Sequence, residues 1–448
     1  MGGRDILKIA FISLGCAKNL VNSEQMMALC LQGGHTLTDS PDGADVAVVN
    51  TCGFIDSAKS EAIDQILALA ALKDKGRLGK ILVAGCLSQR YQDEMLEELP
   101  EIDGLLGTGS YTDILEALEA MASGDVPTYF GDIHHTIEDG ARVVTKPLYS
   151  AYLKIAEGCD NRCAYCVIPS LRGRYRSRTV ESLAAEAKSL AEQGTKELIV
   201  VAQDITRYGL DLTGERMLPQ LLVELCKLPF RWIRLHYLYP DEFTDELIEV
   251  IAREPKILKY LDIPIQHAND KLLRAMNRRG TKAEIMALFE KLRARIPGLV
   301  IRTSLITGLP GEGEAEFDEL CEFLRWAKLE RAGIFPFSPQ EGTPAFTMPG
   351  QVGEEEAARR AELLVELQSR IMDEYNESRL GGVLEVLCEG FDPEAGCYVG
   401  RSYADSPDVD GHVYFTAAGG TVAAGDFVRV HITGVTDGDL LGEMEEQA

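Results

Sequence analysis

Positive charge is what this 448-residue sequence has least of. Lys and Arg total 45 against 71 Asp and Glu, a formal net charge of −26. A protein that draws its affinity from phosphate contacts needs cationic groups to displace counterions. An acidic chain repels bulk nucleic acid and attracts a basic protein partner, unless the charge serves solubility alone. Long apolar runs are missing as well. No stretch of about 18 apolar residues occurs, which speaks against a membrane span. The polar start, residues 1–8, runs straight into a strand-like segment and does not read as a secretory signal. Ile6 stands where a myristoylation pattern needs Ser or Thr. The motifs GxxxxGK[ST] and HExxH are absent, as are fixed-period repeats and low-complexity tracts. The expectation is a cytoplasmic protein of roughly two to four domains, with enough apolar content to bury a sizeable core.

Three compositional regimes follow one another. Residues 8–123 alternate strand-like runs (8–15, 45–50, 80–85 and 104–107) with amphipathic runs such as 56–74 and 91–99, which predicts a parallel wound sheet. Residues 124–148 are polar, with Gly, Pro and a His134-His135 pair, and read as a linker. From Ala151 six strand–helix pairs follow, with strands at 152–156, 197–202, 232–237, 260–264, 300–307 and 333–337. Six consecutive units with right-handed crossovers suit a partial barrel. A charged helical run over 354–380 contains no Pro or Gly. Beyond it, short β-rich runs (383–388, 412–416 and 427–432) separated by Gly and Asp predict a small β-barrel. The fold class is therefore α/β: a wound N-terminal domain, a partial (βα)6 barrel and a C-terminal β-barrel.

Eleven cysteines in a chain without a signal read as reduced thiols, and metal binding is the better expectation than disulfides. Cys159-x3-Cys163-x2-Cys166 follows the first barrel strand, at the carboxyl end where active-site groups of barrels belong. Three thiolates can hold three irons of a 4Fe-4S cluster and leave the fourth iron open. S-adenosylmethionine (SAM) can chelate that iron, and an electron from the cluster then cleaves its carbon–sulfur bond to a 5′-deoxyadenosyl radical. The same three thiolates could serve zinc, but no nearby His or Cys offers the fourth ligand. Tyr165, just before the last cysteine, either packs on an adenine or only shields the cluster.

Cys16, Cys52 and Cys86 have no local spacing pattern, yet each lies just past the carboxyl end of a predicted strand. In an open parallel sheet those ends share one edge, where ligands bind, so three thiolates from three strands can converge. Gly15, Gly53 and Gly85 flank them and permit tight turns. Three ordinary buried cysteines are the competing reading. The other five, Cys30, Cys226, Cys321, Cys388 and Cys397, read as packing or incidental residues.

Seven segments then carry a family likeness. They are SLGCAKNLVNSEQM (13–26), NTCGFI (50–55), AGCLSQRY (84–91), EGCDNRCAYCVIPSLRGRYRSR (157–178), VAQDITRYGLD (201–211), YLDIPIQHAND (260–270) and GRSYADSPDVDG (400–411). In order and over nearly the whole chain, the sequence resembles the methylthiotransferases. The resemblance implies an N-terminal cluster domain (4–123), the linker (124–148), a radical SAM barrel with its connecting helix (149–380) and a TRAM β-barrel (381–448). It implies that both cysteine triplets hold 4Fe-4S clusters and that SAM serves twice, as methyl donor and as radical source. The first, fifth, sixth and last segments resemble the branch that modifies the β-carbon of an aspartate in ribosomal protein S-twelve. That branch needs a sulfur donor and an electron donor besides its protein substrate. Two alternatives stay open: a methylthiotransferase of tRNA adenosine, and a non-catalytic iron–sulfur protein that binds the ribosome.

The likeness has gaps. After the second barrel strand stands Gln203-Asp204 rather than a Gly-Gly-Glu run. Gln203 and Ser304 are candidate SAM contacts, with capping and turn formation as competing roles. Arg172, Arg174, Arg176 and Arg178 either bind a carboxylate or form a solvated loop. His267 lines the site or is structural. Gly107-x-Gly109 lacks the last glycine of a dinucleotide loop and is set aside. Residues 379–448 hold 13 acidic residues against 3 arginines and no lysine. A tail so charged is a poor RNA grip. The expectation is that its loop 403–410, with Asp405, Asp408 and Asp410, docks the basic target.

Overall fold

The computed structural model describes residues 6–135, 140–145, 147–417 and 420–445. The N-terminal sheet contains β1 (Lys8–Ser13), β2 (Thr36–Thr38), β3 (Ala44–Thr51), β4 (Leu78–Gly85), β5 (Gly104–Leu106) and β6 (Thr128–Tyr129). They lie in the order β2-β1-β3-β4-β5-β6, every neighbouring pair parallel. Helices cover both faces, so β3 and β4 are buried almost throughout, as their continuous apolar runs require. The helix α1 (Ala17–Gln32) packs on one face, with Met26 and Cys30 in the apolar cluster that contains Val46, Val48 and Leu82.

Segment 124–148 does more than connect. Thr128–Tyr129 is the sheet's edge strand, paired to β5. Glu24 of α1, buried, accepts from the Thr145 backbone N–H and hydroxyl at 2.8 Å each and pairs with Arg142 at 3.1 Å. Residues 136–139 and 146 of the expected linker lie outside the described residues.

The barrel sheet comprises β7 (Ser150–Lys154), β10 (Glu197–Val201), β11 (Trp232–Leu235), β12 (Ile257–Asp262), β13 (Val300–Thr307) and β14 (Arg331–Pro336), with β8 (Ala156–Glu157) and β9 (Arg176–Ser177) as a separate short pair. Its order is β14-β13-β12-β11-β10-β7, all parallel and open at the ends, a partial barrel. Leu153, Leu198, Val200, Leu235, Leu261, Ile301 and Leu305 face the helices in one core cluster. The alternate positions, among them Lys154, Arg234, Asp262 and Arg302, carry polar groups on the other face.

The helix Glu354–Glu377 joins the barrel to a closed five-stranded barrel: β15 (Val383–Asp392), β16 (Cys397–Ser402), β17 (Val413–Thr416), β18 (Phe427–Thr436) and β19 (Asp439–Met444). Two of these, β16 and β19, are not among the expected runs. Both are interrupted by Gly in the alternation that marks a strand: Gly400 crosses β15 so closely that a Cβ would sit 2.4 Å from the Leu387 carbonyl oxygen. Among the described helices none is long and apolar enough to cross a membrane.

Contrary to the expectation of an acidic docking loop, residues 403–410 pack largely on the six-stranded barrel sheet, with Asp408 and Val409 left exposed. Asp405 is 2% exposed, bound by Arg331 at 2.7 Å and by the Ser402 hydroxyl at 2.6 Å. Asp410 accepts from the Tyr260 hydroxyl at 2.6 Å and the Ser406 N–H at 2.8 Å. Arg401 and Arg234 clamp Glu197 from the two sides, at 2.7 and 2.9 Å, with side chains essentially inaccessible. Of the three aspartates only Asp408 is exposed. Buried guanidinium groups demand anions, and the acidic loop supplies them.

Candidate cluster site between two cysteine triplets

Cys16, Cys52 and Cys86 meet because β1, β3 and β4 are neighbours and each cysteine follows its strand. Cys16 is the N-cap of α1, Cys52 follows Thr51, and Cys86 opens the helix Cys86–Tyr91. Their approach depends on glycine: Gly15 lies at φ +86°, and a Cβ on it would sit 2.6 Å from the Cys52 Cβ. Asn19 staples the turns, donating to the carbonyls of Leu14 and Thr51 at 3.1 and 3.0 Å. The three thiols are close enough to feel one another's charge. Burial raises the Cys16 thiol, but Lys18 and Arg172 outweigh it and hold it below its ordinary value. Burial pushes Cys52 up to about 11 and raises Cys86, the latter against the pull of Arg172.

Cys159, Cys163 and Cys166 occupy the loop after β8. The loop is pinned by the Ala164 N–H to the Met276 carbonyl at 2.9 Å, and by Asn161, whose side chain donates to Asp204 at 2.8 Å. Burial raises Cys159 to about 11 and Cys166 higher still. Arg278, which no sequence motif marks, lies 3.8 Å from the Cys163 sulfur and donates to the Tyr165 hydroxyl at 3.1 Å.

Arg172 ties the N-terminal triplet to Glu157, two residues before Cys159. It is 2% exposed, not a solvated loop residue as one expectation had it. It donates to the Cys86 sulfur at 3.3 Å, to Glu157 at 3.0 Å and to Asn22 at 3.1 Å, and also to Asn19. Glu157 in turn accepts from Lys154 at 2.8 Å and from the Gln203 amide at 2.6 Å. Burial would raise the Glu157 carboxyl, but Arg172 and Lys154 hold it far below the usual carboxylate range. The roles of Glu157, Lys154 and Asn19 are not legible in the sequence, because a polar residue in a strand or at a helix start carries no motif of its own.

The other candidates separate. Gln203 reaches the network, and its Oε1 is buried with no hydrogen-bond partner, an acceptor open to a ligand donor. Ser304 is half-buried on the face of β13 that also carries Arg302. The turn after that strand packs on the connecting helix, since a Cβ on Gly308 would meet Ala357 Cβ at 2.3 Å. Tyr165 sits against Ala164, Met276 and Leu309 in an apolar cluster. His267 is buried against Glu312, at 3.3 Å. Arg178 turns instead to Glu186, and Arg174 is exposed. Cys30, Cys226 and Cys321 lie in helices and Cys388 and Cys397 in strands, apart from both triplets.

Among the described residues no group of three or more His, Cys, Asp or Glu is arranged around a single metal ion. A zinc site requires such an arrangement; a 4Fe-4S cube does not, because each thiolate binds its own iron. The donor sets fit such cubes: three thiols each, with Arg172 beside one set and Arg278 beside the other to balance negative charge.

Comparison with known proteins agrees with this arrangement. Residues 153–324 match the Radical SAM superfamily, residues 8–107 the Uncharacterized protein family UPF0004 and residues 380–444 the TRAM domain. The ribosomal protein uS12 methylthiotransferase RimO of Pelotomaculum thermopropionicum is 50% identical over 98% of this chain and 99% of its own. Its counterpart in Desulforamulus reducens is 47% identical over 98% and 99%. The chain belongs to the RimO methylthiotransferase family. Among solved structures, the radical SAM methyltransferase TsrM of Kitasatospora setae, with cobalamin and a 4Fe-4S cluster bound, superimposes at a TM-score of 0.58. It shares 14% identity over 76% of this chain and 77% of that one. The radical SAM enzyme OxsB, in its apo form, gives 0.51 at 13% identity, over 83% and 56%. These two share the fold. RimO family membership brings radical SAM methylthiotransferase activity with it, so the protein is an enzyme.

Proposed function

We propose that this enzyme methylthiolates the β-carbon of an aspartate in ribosomal protein uS12, in the cytoplasm, with a 4Fe-4S cluster on each cysteine triplet and SAM as cosubstrate. When bound, the cluster on Cys159, Cys163 and Cys166 supplies the electron that cleaves SAM, and the one on Cys16, Cys52 and Cys86 supplies a place for sulfur. The observation that supports the reading is the buried chain Cys86–Arg172–Glu157–Gln203, which runs from the N-terminal triplet to the strand that leads into the barrel triplet. The aspartate β-hydrogen is not acidic, so no general base in this site could remove it at neutral pH.

The chain's own residues have defined tasks in this reading. Arg172 and Arg278 offset the negative charge of the thiolates. Glu157, kept ionised, holds Arg172, Lys154 and Gln203 in place. The open Gln203 Oε1 receives a donor group of SAM. Tyr165, Met276 and Leu309 form an apolar wall that keeps water from the barrel triplet. The acidic surface disfavours bulk nucleic acid and suits a basic ribosomal protein; a sulfur donor and an electron donor complete the set of partners. The test is mass spectrometry of uS12 incubated with reconstituted enzyme, SAM, sulfide and reductant. A methylthio adduct on aspartate is expected; modification of tRNA with uS12 untouched overturns the assignment.

A further inference from the structure

We propose that Lys18 recognises the carboxylate of the target side chain and so selects aspartate over its neutral analogues. This rests on the aspartate reading above and adds the residue that enforces it. Lys18 is the second residue of α1, two positions after Cys16, and only 8% of its surface is exposed. Its side chain leaves the N-terminal module and crosses to the barrel, where the ammonium lies 3.7 Å from the centroid of the Tyr237 ring. Tyr237 follows β11 and holds a left-handed backbone, φ +65°, a conformation that costs about 1–3 kcal/mol for a non-glycine residue and persists where its surroundings impose it. Lys18 therefore stands at the mouth of the barrel, on the same side as both triplets.

The neighbouring cations are already engaged, though not each by a carboxylate of its own. Lys154 and Arg172 share Glu157, and Arg302 has Asp262 at 2.9 Å. Arg278 is occupied by the Tyr165 hydroxyl, the Pro264 carbonyl and the Cys163 sulfur. Among the described residues no carboxylate lies within 4.0 Å of the Lys18 ammonium, which sits against the Tyr237 side chain and feels the charge of the Cys16 thiol. Withdrawing an ammonium from water costs several kcal/mol unless an anion compensates. A cation–π contact of about 1–2 kcal/mol offsets only part of that. An incoming carboxylate completes the site. Because an aspartate carboxylate is bonded directly to its β-carbon, holding the carboxylate on Lys18 also fixes the carbon to be modified. The competing role for Lys18 is to balance the negative charge at Cys16, and the experiment separates the two.

The experiment measures binding of reconstituted enzyme to uS12 and to uS12 with its target aspartate changed to Asn, for wild type, Lys18→Met and Lys18→Arg, with iron per chain determined in each. A charge-assisted hydrogen bond is worth a preference of about tenfold to a hundredfold. Wild type is expected to prefer the Asp protein by that factor. Lys18→Met should weaken the Asp protein to the level of the Asn protein without changing the latter, and Lys18→Arg should keep the preference. Should Lys18→Met lose iron, Lys18→Gln takes its place. A neutral variant that still prefers Asp overturns the proposal, as does a wild type that binds both proteins equally. A wild type that neither binds nor modifies uS12 overturns the aspartate reading itself.

Discussion

Glu197 is the point where the C-terminal barrel and the radical SAM barrel depend on each other most. Its carboxylate is wholly buried and accepts from Arg401 of the C-terminal barrel at 2.7 Å and from Arg234 of β11 at 2.9 Å, with the Ser150 hydroxyl at 3.1 Å. Burial alone would raise this carboxyl; Arg401 and Arg234 overcome it and bring it from 4.5 down to about 2. That depression is worth about 3 kcal/mol of folding stability at neutral pH. Removing one member of a buried ion pair costs about 3–5 kcal/mol by a separate route, so the two agree. Glu197→Gln keeps the shape and removes the charge. The depressed carboxyl contributes in full above 4.5 and loses its contribution as pH falls toward 2. The stability deficit of the variant should thus be about 3 kcal/mol at pH 7 and shrink through that acidic window. Trp232 reports on this interface, since its indole bonds Glu385 at 3.1 Å and its ring meets Phe427 edge-on at 4.8 Å. Urea unfolding of the metal-free chain followed by Trp232 fluorescence, in a Trp326→Phe background, gives the deficit at each pH. A deficit under about 1 kcal/mol, or one that is the same at pH 7 and pH 3, would refute the reasoning.

Four further outcomes follow from the same structure. The reconstituted chain should hold about eight irons, and replacing either cysteine triplet with Ala should leave about four; iron analysis showing a single cluster in wild type contradicts the two-triplet site. Only the loss of Cys159, Cys163 and Cys166 should abolish SAM cleavage, whereas the loss of Cys16, Cys52 and Cys86 should spare it and stop sulfur insertion. Arg172→Met removes a cation and a hydrogen bond from Cys86, so the N-terminal cluster should become harder to reduce in an electron-paramagnetic-resonance redox titration; an unchanged potential rejects the electrostatic role. Asp405→Asn, which leaves Arg331 without its anion, should destabilise the C-terminal barrel by about 3 kcal/mol, read as earlier release in limited proteolysis; a variant that instead keeps its stability and weakens uS12 binding restores the docking role that the structure took away.

The sequence by itself determined the order of architectures and the places in it where both cysteine sets lie. Continuous apolar runs such as 45–50 and 80–85 can be buried only in a parallel sheet covered on both faces, and a cysteine just past each run must then reach the same edge. Local spacing marked Cys159, Cys163 and Cys166 directly. Tertiary structure alone decided which charges belong to the site. Arg172, Arg174, Arg176 and Arg178 look equivalent along the chain. Only the packing of the helix Ile168–Arg172 against the helix Cys86–Tyr91 sends Arg172 to Cys86, while Arg178 turns to Glu186 and Arg174 stays exposed. Lys18 and Glu157 gain their meaning from groups far away in sequence or from the fold around them. The acidic loop 403–410 was read from composition as a surface feature. Its aspartates instead meet Arg331 and Tyr260 of the barrel, because a charge can leave water only where an opposite charge or a donor awaits it. Which partner awaits a charged side chain is a property of two surfaces brought together, and no single segment of the chain contains it.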